Sequence, residues 1–228
     1  MITAVAALLP VGVVVASSGV ASAGGVIVNN GAPATVTCFA DGGTLTLKTP
    51  IGLVTPGGYQ APIKNKGQKI TVSGVSLTNC TSSVFPAAGF TGTMSGKITI
   101  TNPSQTPAQL YSCANLTSPI PGAGGTLSGT LKIKWTPPPG VKFTQKKSTL
   151  SISDALGDAT TFPPFLFLSL PNVNPAAVVG GFPGPDGGAV SFLATASSQT
   201  LGALLAQCTM SGGVSSIGLQ SVGNLILS

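Results

Sequence analysis

The residues of this sequence with the most distinctive side-chain chemistry are four cysteines, which can form disulfides, and ten lysines, which can bind anions. Its acidic side chains are four aspartates, and arginine, glutamate and histidine are absent. Without them the sequence offers no imidazole base, no histidine-ligated metal and no glutamate pair for acid–base catalysis. We therefore predict a protein that is not an enzyme and that uses no cofactor and no catalytic metal.

The even number of cysteines indicates disulfides. In an exported protein, Cys38, Cys80, Cys113 and Cys208 form two disulfides more often than they remain thiols. Three pairings are possible, and we favour Cys38 with Cys80 and Cys113 with Cys208, because each bond would join one strand-like segment to another. Metal binding by the four thiolates is disfavoured, since the sequence has no Cys-x-x-Cys pair.

Lysines give the chain a formal net charge of +6 and gather in two parts of the sequence. One group is Lys64, Lys66 and Lys69. The other surrounds Trp135, and because Lys132 and Lys134 are two residues apart, a strand would place both on one face. The candidate binding face consists of Lys132, Lys134, Trp135, Lys142, Lys146 and Lys147.

This candidate face has two interpretations. It either meets an anionic polymer or lipid head groups at a cell envelope, or it is a solvated sheet face that keeps a weakly charged protein soluble. Trp135 also has two interpretations: it is either a core residue or a platform on which a sugar ring stacks. Nucleic acid is excluded as a partner, because arginine and a recognition helix are both missing.

Two further patterns give alternative functions. Asp154 and Asp158 flank a turn, and with backbone carbonyls they could form part of a Ca²⁺- or carbohydrate-binding module. The segment 162–170 is rich in phenylalanine and is either a core strand or an exposed edge. In the second case Phe165 and Phe167 form a docking edge for another subunit, as in a pilus- or filament-like assembly.

The elements that must position these residues are β-strands. Apolar residues alternate with Thr, Ser and Lys in short runs separated by Gly and Pro, which predicts an all-β antiparallel sandwich, jelly-roll or immunoglobulin-like, with about ten strands and long Pro/Gly loops. Asp41-Gly42-Gly43 predicts a hairpin. Gly96 and Gly129, inside such runs, indicate bulges or close packing. The predicted strands are 35–39, 44–48, 69–77, 91–101, 126–136, 142–153, 165–170, 189–197 and 214–227, with a helix at 199–207.

The N-terminal region predicts export. Residues 1–23 combine an apolar stretch with the small-residue cleavage site Ala21-Ser22-Ala23, which is typical of a signal peptide, although no lysine or arginine precedes the stretch. A membrane anchor or a strand is the alternative. Residues 24–228 then form a single domain, in which prolines interrupt every long apolar run, so we expect no transmembrane helix there.

Several motifs resemble a group of small exported proteins from high-GC Gram-positive bacteria. The resemblance rests on Thr37-Cys38, Ser73-Gly74-Val75-Ser76-Leu77-Thr78-Asn79-Cys80, Ser112-Cys113-Ala114-Asn115-Leu116, Gly129-Thr130-Leu131-Lys132-Ile133-Lys134-Trp135, Val179-Gly180-Gly181-Phe182 and residues 208–213. The group has no assigned activity, so the resemblance implies export, β structure and paired cysteines and adds no mechanism.

Together these patterns predict a secreted, non-catalytic cell-surface or extracellular protein with a structural or binding role. Its expected partner is an anionic envelope polymer or another subunit.

Overall fold

Alternating apolar and hydroxyl-bearing residues form β-strands along most of the described part of the chain. A computed structural model describes residues 25–51, 68–101, 125–156, 167–173, 177–183, 190–195, 201–209, 213–219 and 223–227. The strands are β1 (Val26–Val28), β2 (Val36–Asp41), β3 (Thr44–Ile51), β4 (Gln68–Ser82), β5 (Phe85–Thr101), β6 (Gly125–Thr136), β7 (Val141–Phe143), β8 (Lys147–Leu156), β9 (Phe167–Val173), β10 (Ala177–Gly180), β11 (Val190–Thr195), β12 (Val214–Gly218) and β13 (Gly223–Leu227), with one helix, α1 (Leu201–Thr209), among the described elements.

Most of the described strands belong to one 11-stranded sheet. Its main path runs β10-β8-β6-β5-β4-β2-β13-β11-β9, and β3 and β12 branch from β4. All pairings in this sheet are antiparallel, and β9 curls back towards β8. Strands β1 and β7 form a separate parallel pair. The all-β antiparallel fold is confirmed, while the division into two sandwiched sheets stays a prediction.

The sheet branches at Gly42 and Gly43, where the sequence had predicted a hairpin. That prediction is wrong, because β2 and β3 do not pair with each other and instead lie one after the other along β4. Both glycines have positive φ angles, 62° and 105°, which bend the chain without reversing it. Gly74 opposite them, at φ 66°, lies in an irregularity of β4. The bend lets β13 pair with β2 while β12 pairs with β3.

Gly96 and Gly129 bring β5 and β6 into close contact. The two strands pair without a register shift, with Gly96 opposite Leu131 and Gly129 opposite Ile98. A Cβ on either glycine would lie 2.2 Å from a carbonyl oxygen of the neighbouring strand. The close packing predicted for these glycines is therefore confirmed.

An aromatic cluster fills one end of the core. The rings of Phe90 and Phe182 are stacked with centroids 5.0 Å apart, and Trp135 and Phe143 meet both of them edge-on. Phe182 has a φ of 52°, unusual for a residue with a side chain, and its amide donates to the Asn30 carbonyl at 2.5 Å. Loop and strand residues therefore share one core.

Helix α1 lies close to its predicted position and packs near β12. It is nine residues long. Within the described part of the chain, no helix has the length and apolar character needed to cross a membrane.

The glycine contacts generate a test of stability. We expect Gly96→Ala and Gly129→Ala each to lower the free energy of unfolding by about 1–3 kcal/mol, because the new methyl group must push two backbones apart. Gly202→Ala is the matched control, since a Cβ there meets nothing within 4 Å. In the helix it should stabilise by about 0.5–1 kcal/mol. Urea unfolding measures all three, and unchanged stability in the first two would contradict the packing.

Candidate functional site

Strand alternation fixes which lysines face solvent on β6 and β8. Leu131, Ile133 and Trp135 are buried, so Lys132 and Lys134, which alternate with them, point outwards and are exposed. Lys147 is exposed next to the buried Ser148. In the register between the two strands, Lys134 lies directly opposite Lys147. The outer face of this strand pair therefore carries three ammonium groups close together.

The same face carries lysines from three more strands. Lys97 on β5 lies opposite Thr130, which is two residues from Lys132 on β6. Lys69 on β4 lies opposite Thr99, which is two residues from Lys97 on β5. Such diagonal neighbours in a sheet are about 7–8 Å apart. On β3, Lys48 is one residue beyond the Leu47–Ile70 pair, which places it beside Lys69.

These lysines form one continuous diagonal line, which we call the lysine stripe. All of its members are exposed. From β3 to β8 the stripe consists of six residues: Lys48, Lys69, Lys97, Lys132, Lys134 and Lys147.

Hydroxyl groups surround the stripe. The cross-strand partners of Lys97 are Thr71 and Thr130, and those of Lys132 are Ser95 and Thr149. Asp41 is the one acidic residue whose side-chain exposure the structure describes, and it lies at the end of β2, outside the stripe. The described outer face of β4, β5, β6 and β8 is therefore cationic and rich in hydrogen-bond donors.

A buried hydrogen-bond chain holds the β6–β8 register beneath the stripe. The Trp135 indole Nε1 donates to the Ser148 hydroxyl at 2.6 Å, and that hydroxyl donates to the Gly181 carbonyl. Both side chains are almost fully buried. A slip of β8 by one residue would separate this pair and turn Lys147 inwards, so the buried bond also orients the exposed charges.

The sequence-predicted face and the observed stripe overlap only in part. Trp135 is 2% exposed, which corrects its inclusion among the face residues and supports its interpretation as a core residue. Lys142 and Lys146 are exposed, but they lie on β7 and in the turn after it and not on the stripe. Lys64 and Lys66 lie outside the described residues. Grouping the lysines by their closeness in sequence missed Lys48 and Lys97. Each of them neighbours a buried apolar residue in its strand, and this alternation could have identified both as outward-facing.

Only one of the two residues of the predicted docking edge lies in a described strand. Phe165 is outside the described residues. Phe167 begins β9, which pairs with β11 and is the last strand on the main path through the sheet.

One predicted disulfide is confirmed. Cys38 on β2 is bonded to Cys80 on β4, and both are buried. The bond lies at a register irregularity in which Asn79 has a φ of 49°. Cys208 is also disulfide-bonded, whereas its predicted partner Cys113 lies outside the described residues.

In the described part of the chain, no group of three His, Cys, Asp or Glu residues could hold a metal ion. Asp154 lies on β8, and Asp158 lies outside the described residues. No family model, curated protein or solved structure matches this chain.

The cysteine assignments can be checked by non-reducing peptide mapping. Cleavage after lysine places each cysteine on its own peptide, with Cys38 before Lys48, Cys80 in 70–97, Cys113 in 98–132 and Cys208 in 148–228. We expect two cross-linked pairs. The Cys38 peptide should be joined to the Cys80 peptide and the Cys113 peptide to the Cys208 peptide, because Cys38 and Cys80 are already bonded to each other. A pair that joins 70–97 to 148–228 would refute the assignment.

Proposed function

We propose that this protein is a secreted, non-catalytic binding protein of the cell surface or extracellular space, and that its lysine stripe contacts an anionic envelope polymer. The observation that carries the proposal is the convergence of lysines from five strands on one face. Lysines distant in sequence, such as Lys48 and Lys147, belong to the same continuous line.

The direct pairing of Lys134 with Lys147 supports an anionic partner. Like charges opposite each other on neighbouring strands destabilise a sheet. A face kept only for solubility gains nothing from this pairing, since the same charges could be spread over the many Ser and Thr positions. A bound polyanion would remove the repulsion, because its charges lie between the ammonium groups.

The affinity of such binding would come from the number of ion pairs and not from any single contact. An exposed ion pair contributes about 0.2–1 kcal/mol, so several lysines must act on one polymer to give stable contact. Lysine suits this role, because its compact charge on a flexible stem accepts anions in many orientations.

Export is consistent with the disulfides and with the position of the first described strand. Disulfides persist in oxidising compartments outside the cytosol. Strand β1 begins at Val26, three residues after the proposed cleavage point at Ala23, so cleavage there leaves the Val26 amide bonded to the Gly140 carbonyl at 2.8 Å.

Paired lysine variants test the proposed binding. The probe is long-chain polyphosphate, with affinity measured by calorimetry over a range of salt concentrations. We expect Lys132→Gln/Lys134→Gln to weaken binding and to reduce the slope of log K against log salt by about 1.4, as for two lost phosphate contacts. The control Lys142→Gln/Lys146→Gln removes the same charge off the stripe and should change the slope much less.

The same variants separate a binding role from a solubility role. Removal of one member of the Lys134–Lys147 pair should raise the free energy of unfolding of the unbound protein by about 0.2–1 kcal/mol at low salt. Weaker binding together with higher stability is the expected combination. Equal loss of binding in stripe and control variants would contradict a role for this face, and absence of binding in the unmodified protein would contradict the proposed function.

The export step predicts a defined N-terminus. When the full chain is expressed in a secreting Gram-positive host, we expect protein in the medium to begin at Gly24, because the Ala21-Ser22-Ala23 site fits signal peptidase. N-terminal sequencing measures this. Ala23→Leu should block cleavage, whereas Ala23→Ser should leave it intact. Retention of an uncleaved chain at the membrane in the unmodified protein would favour an anchor.

A further inference from the structure

The lysine stripe is one-dimensional, and this limits the shape of its ligand. It crosses from β3 to β8 by four strand-to-strand steps of about 4.8 Å while it moves six residues along the strands at about 3.4 Å each, a line of roughly 28 Å. The members follow one another in a single direction, without a second parallel row among the described lysines. A planar membrane surface would use a broad patch, whereas a line of charges matches a single extended chain.

We infer that the stripe binds one linear phosphodiester polymer that carries no bases, laid diagonally across β3, β4, β5, β6 and β8. This inference rests on the proposed function, since it names the polymer class and its path. It adds a direction and a minimum length, neither of which follows from net charge.

Donor chemistry favours phosphate. Lysine ammonium groups bind phosphate as point charges, and the Ser and Thr hydroxyls beside them can donate to the remaining phosphate oxygens. Lys97 has Thr71 and Thr130 as its cross-strand neighbours, and both are accessible to solvent. A phosphate bound at Lys97 would therefore meet one ammonium group and two hydroxyls.

The spacing favours a short organic spacer between phosphates. A repeat of six bonds spans about 7 Å, twice the reach of the three-bond peptide unit, and this is the repeat of a phosphodiester with three carbons between phosphates. Diagonal lysines in the stripe are separated by about the same distance, 7–8 Å. The line then accommodates about five phosphates.

The surroundings argue against bases on the polymer. Single-stranded nucleic acid gains affinity from stacking on exposed aromatic rings. The rings nearest the stripe, those of Phe90 and Trp135, are buried beneath β5 and β6. Phe39 is an exposed ring, but it lies on β2, three strands from β6 in the sheet order. Among the described residues, bases would therefore find no platform along the path.

Synthetic propanediol-phosphate oligomers of two to twelve units test the inference. They carry the three-carbon spacer, no bases and a defined number of charges, and their binding to the full mature protein can be followed by fluorescence anisotropy. We expect affinity to rise about two- to fivefold per added phosphate up to about five phosphates, and to level off beyond that length. A steady rise through twelve units would overturn the inference, because it indicates a diffuse cationic surface.

Variants at the two ends of the stripe test the path. Lys48→Gln and Lys147→Gln should each shift the levelling-off by about one phosphate, since each shortens the line by one charge. Lys142→Gln is the matched control, which should lower affinity slightly without moving that point. An equal shift in the control would overturn the diagonal path.

Two comparison ligands complete the test. Oligothymidylate of equal phosphate number should bind no more tightly than the base-free oligomer, and polyglutamate of equal charge should bind about two- to fivefold more weakly. Tighter binding of either would overturn the assigned polymer class. Long-chain polyphosphate separates the two proposals: if it binds through the stripe while the oligomers show no levelling-off, the proposed function stands and only this inference fails. If it does not bind, both fail.

Discussion

The unbroken register between β5, β6 and β8 is the constraint on which the outer face depends. In a sheet, a slip of one residue exchanges inside and outside along the whole strand. Here several features oppose a slip. Gly96 and Gly129 accept the backbone of the opposite strand, and Trp135 must reach the Ser148 hydroxyl. The exposed lysines are thus positioned by contacts on the buried side of the sheet, which they do not themselves make.

One buried asparagine, Asn30, holds together the turn between β7 and β8 and the segment that follows β10. The Asn30 side chain donates to the Gln145 carbonyl at 2.7 Å and accepts from the Gln145 amide at 2.8 Å, while its own carbonyl accepts from Phe182. These bonds offset the unfavourable positive φ of Phe182, which places its ring in the aromatic stack. The Val179-Gly180-Gly181-Phe182 motif is therefore explained by packing. A Cβ at position 181 would lie 2.7 Å from the Asn30 Nδ2 atom, so only glycine fits there.

Much of the fold could be predicted from local pattern, and its connections could not. Alternation located β2 to β6, β8, β9 and β11, and it placed Lys132 and Lys134 on the outer side. It missed β1 and β10, and it merged β7 with β8 and β12 with β13. It could not show that β2 and β3 share β4, because two glycines with positive φ suit a hairpin and a bend equally well. The lysine stripe could not be predicted from the sequence for a related reason. Lys48, Lys69 and Lys97 join it only through the registers of β3, β4 and β5, and long-range pairing is not encoded in sequence spacing.

The bond between Cys38 and Cys80 has a mechanical consequence. Strand β13, near the C-terminal end, pairs with β2, and β2 is joined covalently to β4 in the middle of the sheet. A load applied at Val36 would first break the hydrogen bonds of that end of β2 to its neighbours. At Cys38, two residues further along the strand, the load would pass into β4 through the covalent bond, so β2 would separate no further from β4 and the strands that carry the lysines would stay in place. Under tension, that bond therefore sets how far β2 can separate from the rest of the sheet.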